Sequence, residues 1–121
     1  MKKVTKVNLL ITSWFVMLGN LARAGDPSLP PVASVPTVEI RFENHHFLPL
    51  HLEIPAGRQL QIHVVNASPE RIEFESFKLN REKVVEPHQS INVTLKALPP
   101  GSYDFFDDFH EDVPEGEIVA R

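Results

Sequence analysis

The chain has 121 residues, with 12 Lys and Arg, 16 Asp and Glu, 6 His, no Cys and a formal net charge of −4. Without cysteine it forms no disulfide and performs no thiolate chemistry. A net negative surface disfavours nucleic acid, whose phosphates would be repelled, and points instead to cations or a basic protein as partners.

Lys2, Lys3 and Lys6 precede an apolar run from Leu9 to Leu18, and Ala22-Arg23-Ala24 places small residues where a signal peptidase reads. Residues 1–24 read as a secretory signal peptide cleaved after Ala24, which directs the protein to the periplasm. The apolar run is about ten residues, half of the roughly 20 that a membrane helix needs, so no stable membrane insertion is expected after cleavage. No Cys follows the cleavage position, which excludes a lipid anchor there. The leader holds four of the twelve basic residues and none of the sixteen acids, so the remainder carries eight against sixteen, a net charge of about −8. Met1, Met17 and Trp14 also lie in the leader, which leaves the mature domain without sulfur. Any metal it binds must be held by His, Asp, Glu or backbone oxygen.

Residues 25–36 contain Pro27, Pro30, Pro31 and Pro36 and read as an extended tether. From 37 to 121 the hydrophobic period is two. Val38, Ile40 and Phe42 alternate with charged residues, Leu50, Leu52 and Ile54 with His51 and Glu53, and Leu60, Ile62 and Val64 with Gln61 and His63. Ile72 and Phe74 follow, then Ile91, Val93 and Leu95, then Tyr103 and Phe105, and finally Ile118 and Val119. Pro55-Ala56-Gly57 and Pro99-Pro100-Gly101 mark turns. No stretch repeats at 3.6 residues. Seven or eight short strands with these turns predict an all-β sandwich in a single domain.

The stretch Tyr103 to Asp112 begins as a strand and ends in a loop that sets Asp107, Asp108, His110, Glu111 and Asp112 around Phe109. Five oxygen or nitrogen donors in six residues build a core poorly and a metal site well. Asp107 and His110 are three apart, a spacing that lets both converge on one ion. His45 and His46 form a pair at the end of the first strand. His51 and His63 alternate with core residues and are expected on the solvated face. If Ile72 and Phe74 point inward, Glu73 and Glu75 share the opposite face. Glu82 lies between Arg81 and Lys83, where an ion pair is the plain expectation. There is no nucleophile-elbow serine and no glycine-rich phosphate loop.

These residues resemble the cupredoxin-like family, with its Greek-key β-sandwich. Tyr103-Asp104-Phe105-Phe106-Asp107-Asp108-Phe109-His110 matches the strand and ligand loop of a blue-copper protein. Asp107 stands at the cysteine position, His110 at the histidine, and Val113 or its neighbour at the axial methionine. Asn66-Ala67-Ser68-Pro69-Glu70 resembles the region that presents the first histidine, and no histidine is there. Blue-copper electron transfer depends on the copper–thiolate bond and is not expected. The chain is more similar to a thiolate-free branch associated with bacterial iron uptake, the Efe-type and iron-permease-associated proteins. That likeness rests on His45-His46-Phe47-Leu48-Pro49, Pro55-Ala56-Gly57, Glu73-Phe74-Glu75-Ser76, Leu79 to Val84, and Phe109-His110-Glu111-Asp112.

The resemblance implies a periplasmic protein that binds a copper or iron ion and holds iron, passes it on or helps oxidise it. It implies ligands from His45, Glu73 or Glu75, Glu82 and His110, with Asp107 and Glu111 in reserve. An iron permease or a periplasmic iron-binding protein would be the partner. The expectation is a metal-binding accessory protein rather than an enzyme, with Fe(II) oxidation left open. The alternative is a metal-free sandwich whose acidic loop docks a basic protein.

Overall fold

The computed structural model describes residues 34–121. The proposed leader and residues 25–33 of the tether lie outside the described residues, and residues 34–36 carry no strand. The described residues form nine strands and no helix, seven of the strands announced by alternation of apolar and polar side chains. They are β1 (Thr37–Glu43), β2 (His46–Leu48), β3 (His51–Ile54), β4 (Leu60–Asn66), β5 (Ile72–Ser76), β6 (Arg81–Val85), β7 (Ser90–Leu95), β8 (Gly101–Asp107) and β9 (Gly116–Ala120). Two sheets result, ordered β2-β1-β4-β7 and β3-β9-β8-β5-β6, and their inner faces make a β-sandwich as the period-two pattern predicts. The β1–β4 and β3–β9 pairs are parallel and the others antiparallel.

In β4, Leu60, Ile62, Val64 and Asn66 are buried while the residues between them are half-buried, as strand parity requires. The other sheet contributes Ile54, Ile72, Phe74, Val85, Phe105 and Ile118 to the same core. Its centre is aromatic. Phe47 meets Phe42 at 5.1 Å and Phe105 at 5.2 Å between ring centres, edge to face, and Phe74 lies 5.3 Å from Phe105. Such pairs contribute about 0.5–1.5 kcal/mol beyond their buried area. Gly116 pairs with Phe105 across β8 and β9, and a Cβ built there would overlap the Phe105 ring.

Two strands are not announced by hydrophobic alternation. β2 is three residues long and buries only Phe47. β6 lies at the sheet edge, and of its five residues only Val85 is buried; its Arg, Glu and Lys suit an edge that must not recruit another strand. Leu50, expected to face inward, is instead exposed and precedes β3.

Candidate metal centre

Three segments meet at one end of the sandwich. The β1–β2 turn consists of Asn44 and His45, both with left-handed backbone at φ 52° and 63°. Tight hairpins of this kind require positive φ at both positions, and a β-carbon there costs roughly 1–2 kcal/mol per residue. The β4–β5 connection carries Glu70, and the β8–β9 connection carries His110 and Asp112.

His45 Nδ1 lies 3.2 Å from Glu70 Oε2, and its Nε2 lies 2.8 Å from Asp112 Oδ2. His110 Nε2 lies 3.9 Å from Glu70 Oε1, and its Nδ1 lies 2.6 Å from Asp107 Oδ2. The two rings stand 5.5 Å apart, edge to face. Each imidazole therefore turns one nitrogen to Glu70 and the other to an aspartate. The hydrogen bond to Asp112, and then that to Glu70, raises the His45 pKa above its ordinary 6.5. His45 in turn lowers that of Asp112 below 3.8.

Local structure fixes these donors. Asn66 occupies an inward position at the end of β4, where the three before it are apolar. Its Nδ2 donates to the carbonyls of Glu70 at 2.6 Å, Val85 at 3.0 Å and Glu86 at 3.2 Å. Its Oδ1 accepts from Ser68 N and Oγ. The loop that presents Glu70 is thus tied to the core. On the other side, Asp107 Oδ1 accepts from the backbone N–H of Glu73 at 2.9 Å and of Phe109 at 3.0 Å. Val113, expected near an axial-ligand position, is buried in the core. Arg71 lies over the exposed Phe109 ring at 5.5 Å and pairs with Glu86.

A second group lies on the outer face of the five-stranded sheet. One carboxylate oxygen from each of Glu73, Glu75 and Asp108 falls within 4.8 Å of the others. Glu82 stands directly across from Glu75 on β6. Glu73 is 8 % exposed. Burial, then a hydrogen bond to Glu82 and the charges of Glu82, Asp108 and Glu75, raise its pKa above 4.5. Glu75 is raised by desolvation, then by the charges of Asp108 and Glu82. A carboxyl whose folded pKa is raised stabilises the fold below its ordinary 4.5 and loses that contribution as pH climbs through the raised value. Glu73→Gln, which keeps the shape without the charge, is therefore expected to raise the melting temperature in EDTA at pH 7 and to leave it unchanged at pH 4. Thermal unfolding followed by circular dichroism checks both values.

The residues expected as ligands thus fall into two groups. His45, His110 and Asp107 come together at the loops, whereas Glu73, Glu75 and Glu82 gather on the sheet face. Asp107 lies beside the site with its oxygens turned to two backbone N–H groups and to His110. Glu111 is exposed on the rim of a cleft of about 210 Å³ that Asp107, Asp108 and His110 also line. Glu82 faces Glu75 rather than its basic neighbours. His51 and His63 lie outward as expected, with His63 Nδ1 2.7 Å from Asn92 Oδ1. Asp108 and Asp112, two of the five donors in the Tyr103–Asp112 stretch, join the groups. Glu70 was not among the expected ligands, and its one signal was its place in the segment that resembles a first-histidine loop.

Two imidazole nitrogens and a carboxylate fit Cu(II) or Fe(II), and their lack of sulfur does not fit Cu(I) or a thiolate-bound copper. Two facing sheets, with His110 on the loop after the penultimate strand, have the layout of a cupredoxin-type sandwich. Residues 8–120 match the model of the cupredoxin-like domain, and the chain belongs to that family. It is 42 % identical, over 84 residues, to an uncharacterised protein of Rickettsia prowazekii (strain Madrid E), covering 69 % of this chain and 67 % of that one. Among solved structures it is similar to the metal-binding domain of the Cu(I)-exporting P-type ATPase of Streptococcus pneumoniae D39, with a TM-score of 0.63, 14 % identity and coverage of 70 % and 84 %. Auracyanin A of Chloroflexus aurantiacus, a "blue" copper protein, gives a TM-score of 0.60 at 14 % identity, covering 73 % and 100 %. Amicyanin of Paracoccus versutus gives 0.57 at 20 % identity, covering 74 % and 85 %.

Proposed function

We propose that this protein is a periplasmic metal-binding accessory protein that holds one copper or iron ion at the loop end of its sandwich. His45 Nδ1, His110 Nε2 and the Glu70 carboxylate would hold the ion, with Asp112 beside them. The observation that carries the reading is the common orientation of the two rings, each with one nitrogen toward Glu70 and the far nitrogen against an aspartate. Metal-bound histidines are usually arranged in this way, the far N–H donated to a carboxylate. Bound there, the ion would supply a Lewis-acidic or one-electron centre without the copper–thiolate bond. The resemblance to iron-uptake proteins supports a role in holding iron, passing it to a permease or helping to oxidise it.

The test is a calorimetric titration of metal-free protein with Cu(II) and, anaerobically, with Fe(II). One ion per chain is expected, with no intense blue colour. At a metal concentration 100-fold above Kd, binding stabilises the fold by about 2.7 kcal/mol, which raises the melting temperature of a domain this size by about 10–20 °C. Absence of binding, or His110→Ala binding as tightly as the unsubstituted protein, would sink the proposal.

A second reading is favoured by the convergence of Glu73, Glu75 and Asp108 within 4.8 Å. An all-oxygen group suits a harder ion such as Fe(III). On that reading Glu75→Gln abolishes Fe(III) binding while His110→Ala leaves it intact.

A further inference from the structure

We infer that Asp107 is a positioning residue: its buried carboxylate holds His110 with the proton on Nδ1, so that the Nε2 lone pair faces Glu70. The inference deepens the metal reading and rests on it for its purpose, while the position of the proton can be measured without any metal. Asp107 falls at an inward position of β8, one alternation beyond Phe105, and its side chain is fully buried. A carboxylate in such a place is costly unless every oxygen finds a partner. The partners are specific. Oδ1 accepts two backbone N–H groups, from Glu73 and Phe109, and Oδ2 lies 2.6 Å from His110 Nδ1.

With Oδ1 already accepting two N–H groups, the geometry assigns the hydrogen of the Oδ2···Nδ1 contact to the ring, on Nδ1. In the neutral ring Nε2 is then the bare nitrogen, and it is the one that faces Glu70 at 3.9 Å. The same three bonds fix the ring in space. The residue that stands where the family's thiolate would be thus acts through His110. His45 has a formally similar partner in Asp112, but the Asp112 side chain is 76 % exposed and water can take its place.

Asp107→Asn separates the roles. The amide oxygen can still accept the two N–H groups, while the amide nitrogen must now donate toward Nδ1. That moves the ring proton to Nε2, directly into the site. Nitrogen-15 NMR of the histidine rings in the metal-free, unsubstituted protein at pH 8 is expected to show His110 protonated at Nδ1. In Asp107→Asn the proton is expected on Nε2, and Cu(II) affinity should fall about 10–100-fold. Protonation of His110 at Nε2 in the unsubstituted protein overturns the inference, and so does a folded Asp107→Asn variant with unchanged Cu(II) affinity. Should that variant fail to fold, the ring spectrum of the unsubstituted protein still decides the matter. Unsubstituted protein that binds no Cu(II), yet shows the Nδ1 proton, takes down the metal reading and leaves the positioning of the ring standing.

Discussion

Replacing Asn66 by alanine is expected to cost roughly 3 kcal/mol of stability, because a single buried amide closes the β4–β5 loop. Three carbonyls, of Glu70, Val85 and Glu86, lose their Nδ2 donor, and the Ser68 N–H and hydroxyl lose their acceptor. Asn66 is 1 % exposed, so water does not readily replace it. Each buried group left without a partner costs about 1–3 kcal/mol, although part of this is recovered as the loop relaxes outward. That relaxation is the functional consequence, since it carries Glu70 away from both imidazoles. Urea unfolding followed by circular dichroism should show the loss, and Cu(II) affinity should fall alongside it. Asn66→Asp is the sharper probe. It keeps the size but removes both donor hydrogens and sets a carboxylate against three carbonyl oxygens, so it should destabilise more than alanine does. An Asn66→Ala variant as stable as the parent would show that the amide is not what closes the loop.

Gly116→Ala is expected to be at least as damaging, at about 3 kcal/mol or more. Overpacking a filled core usually costs about 1–3 kcal/mol, and this site lies at the unfavourable end because the new methyl meets the Phe105 ring itself. That ring cannot swing aside, as Phe47 and Phe74 hold it on two sides. Pairing of β9 with β8 would be strained in the same region where β8 leads into Asp107. A second substitution tests the cause. Phe105→Leu alone removes aromatic contacts and destabilises, yet combined with Gly116→Ala it should recover part of the loss, giving a favourable coupling energy between the two sites. Simple additivity of the two changes would point to a different origin for the glycine requirement.

Much of the sandwich could be read from residues because strand parity is a local property. Leu60, Ile62 and Val64 alternate in the sequence and face inward in the fold for the same reason, and the same holds for Ile72 and Phe74. β2 and β6 escaped because one is too short to show a period and the other lies at an edge with charged residues on both faces. The candidate metal centre divides along the same line. His45 and His110 could be identified by type and by place at strand ends, and the structure brings them together. Parity also sets Glu73 and Glu75 on an outer sheet face, which is why they form their own group with Asp108 and not a common one with the imidazoles. The exclusion of solvent from Glu73 could not be read from parity. The contribution of Glu70 depends on Asn66 capturing carbonyls from two different loops, and that of Asp107 on backbone donors from β5 and the loop after β8. Those are tertiary events that no spacing within one segment encodes.

The place of β9 sets an order of events in time. It lies between β3 and β8, and among the described residues no other strand pairs with β3. β3 ends at Ile54 and β9 begins at Gly116, so the five-stranded sheet closes only after a long loop has been brought together. Contacts so distant along the chain make folding slow, on the order of milliseconds to seconds for all-β domains. In a chain of this design the β3 edge stays without its partner until β9 is in place.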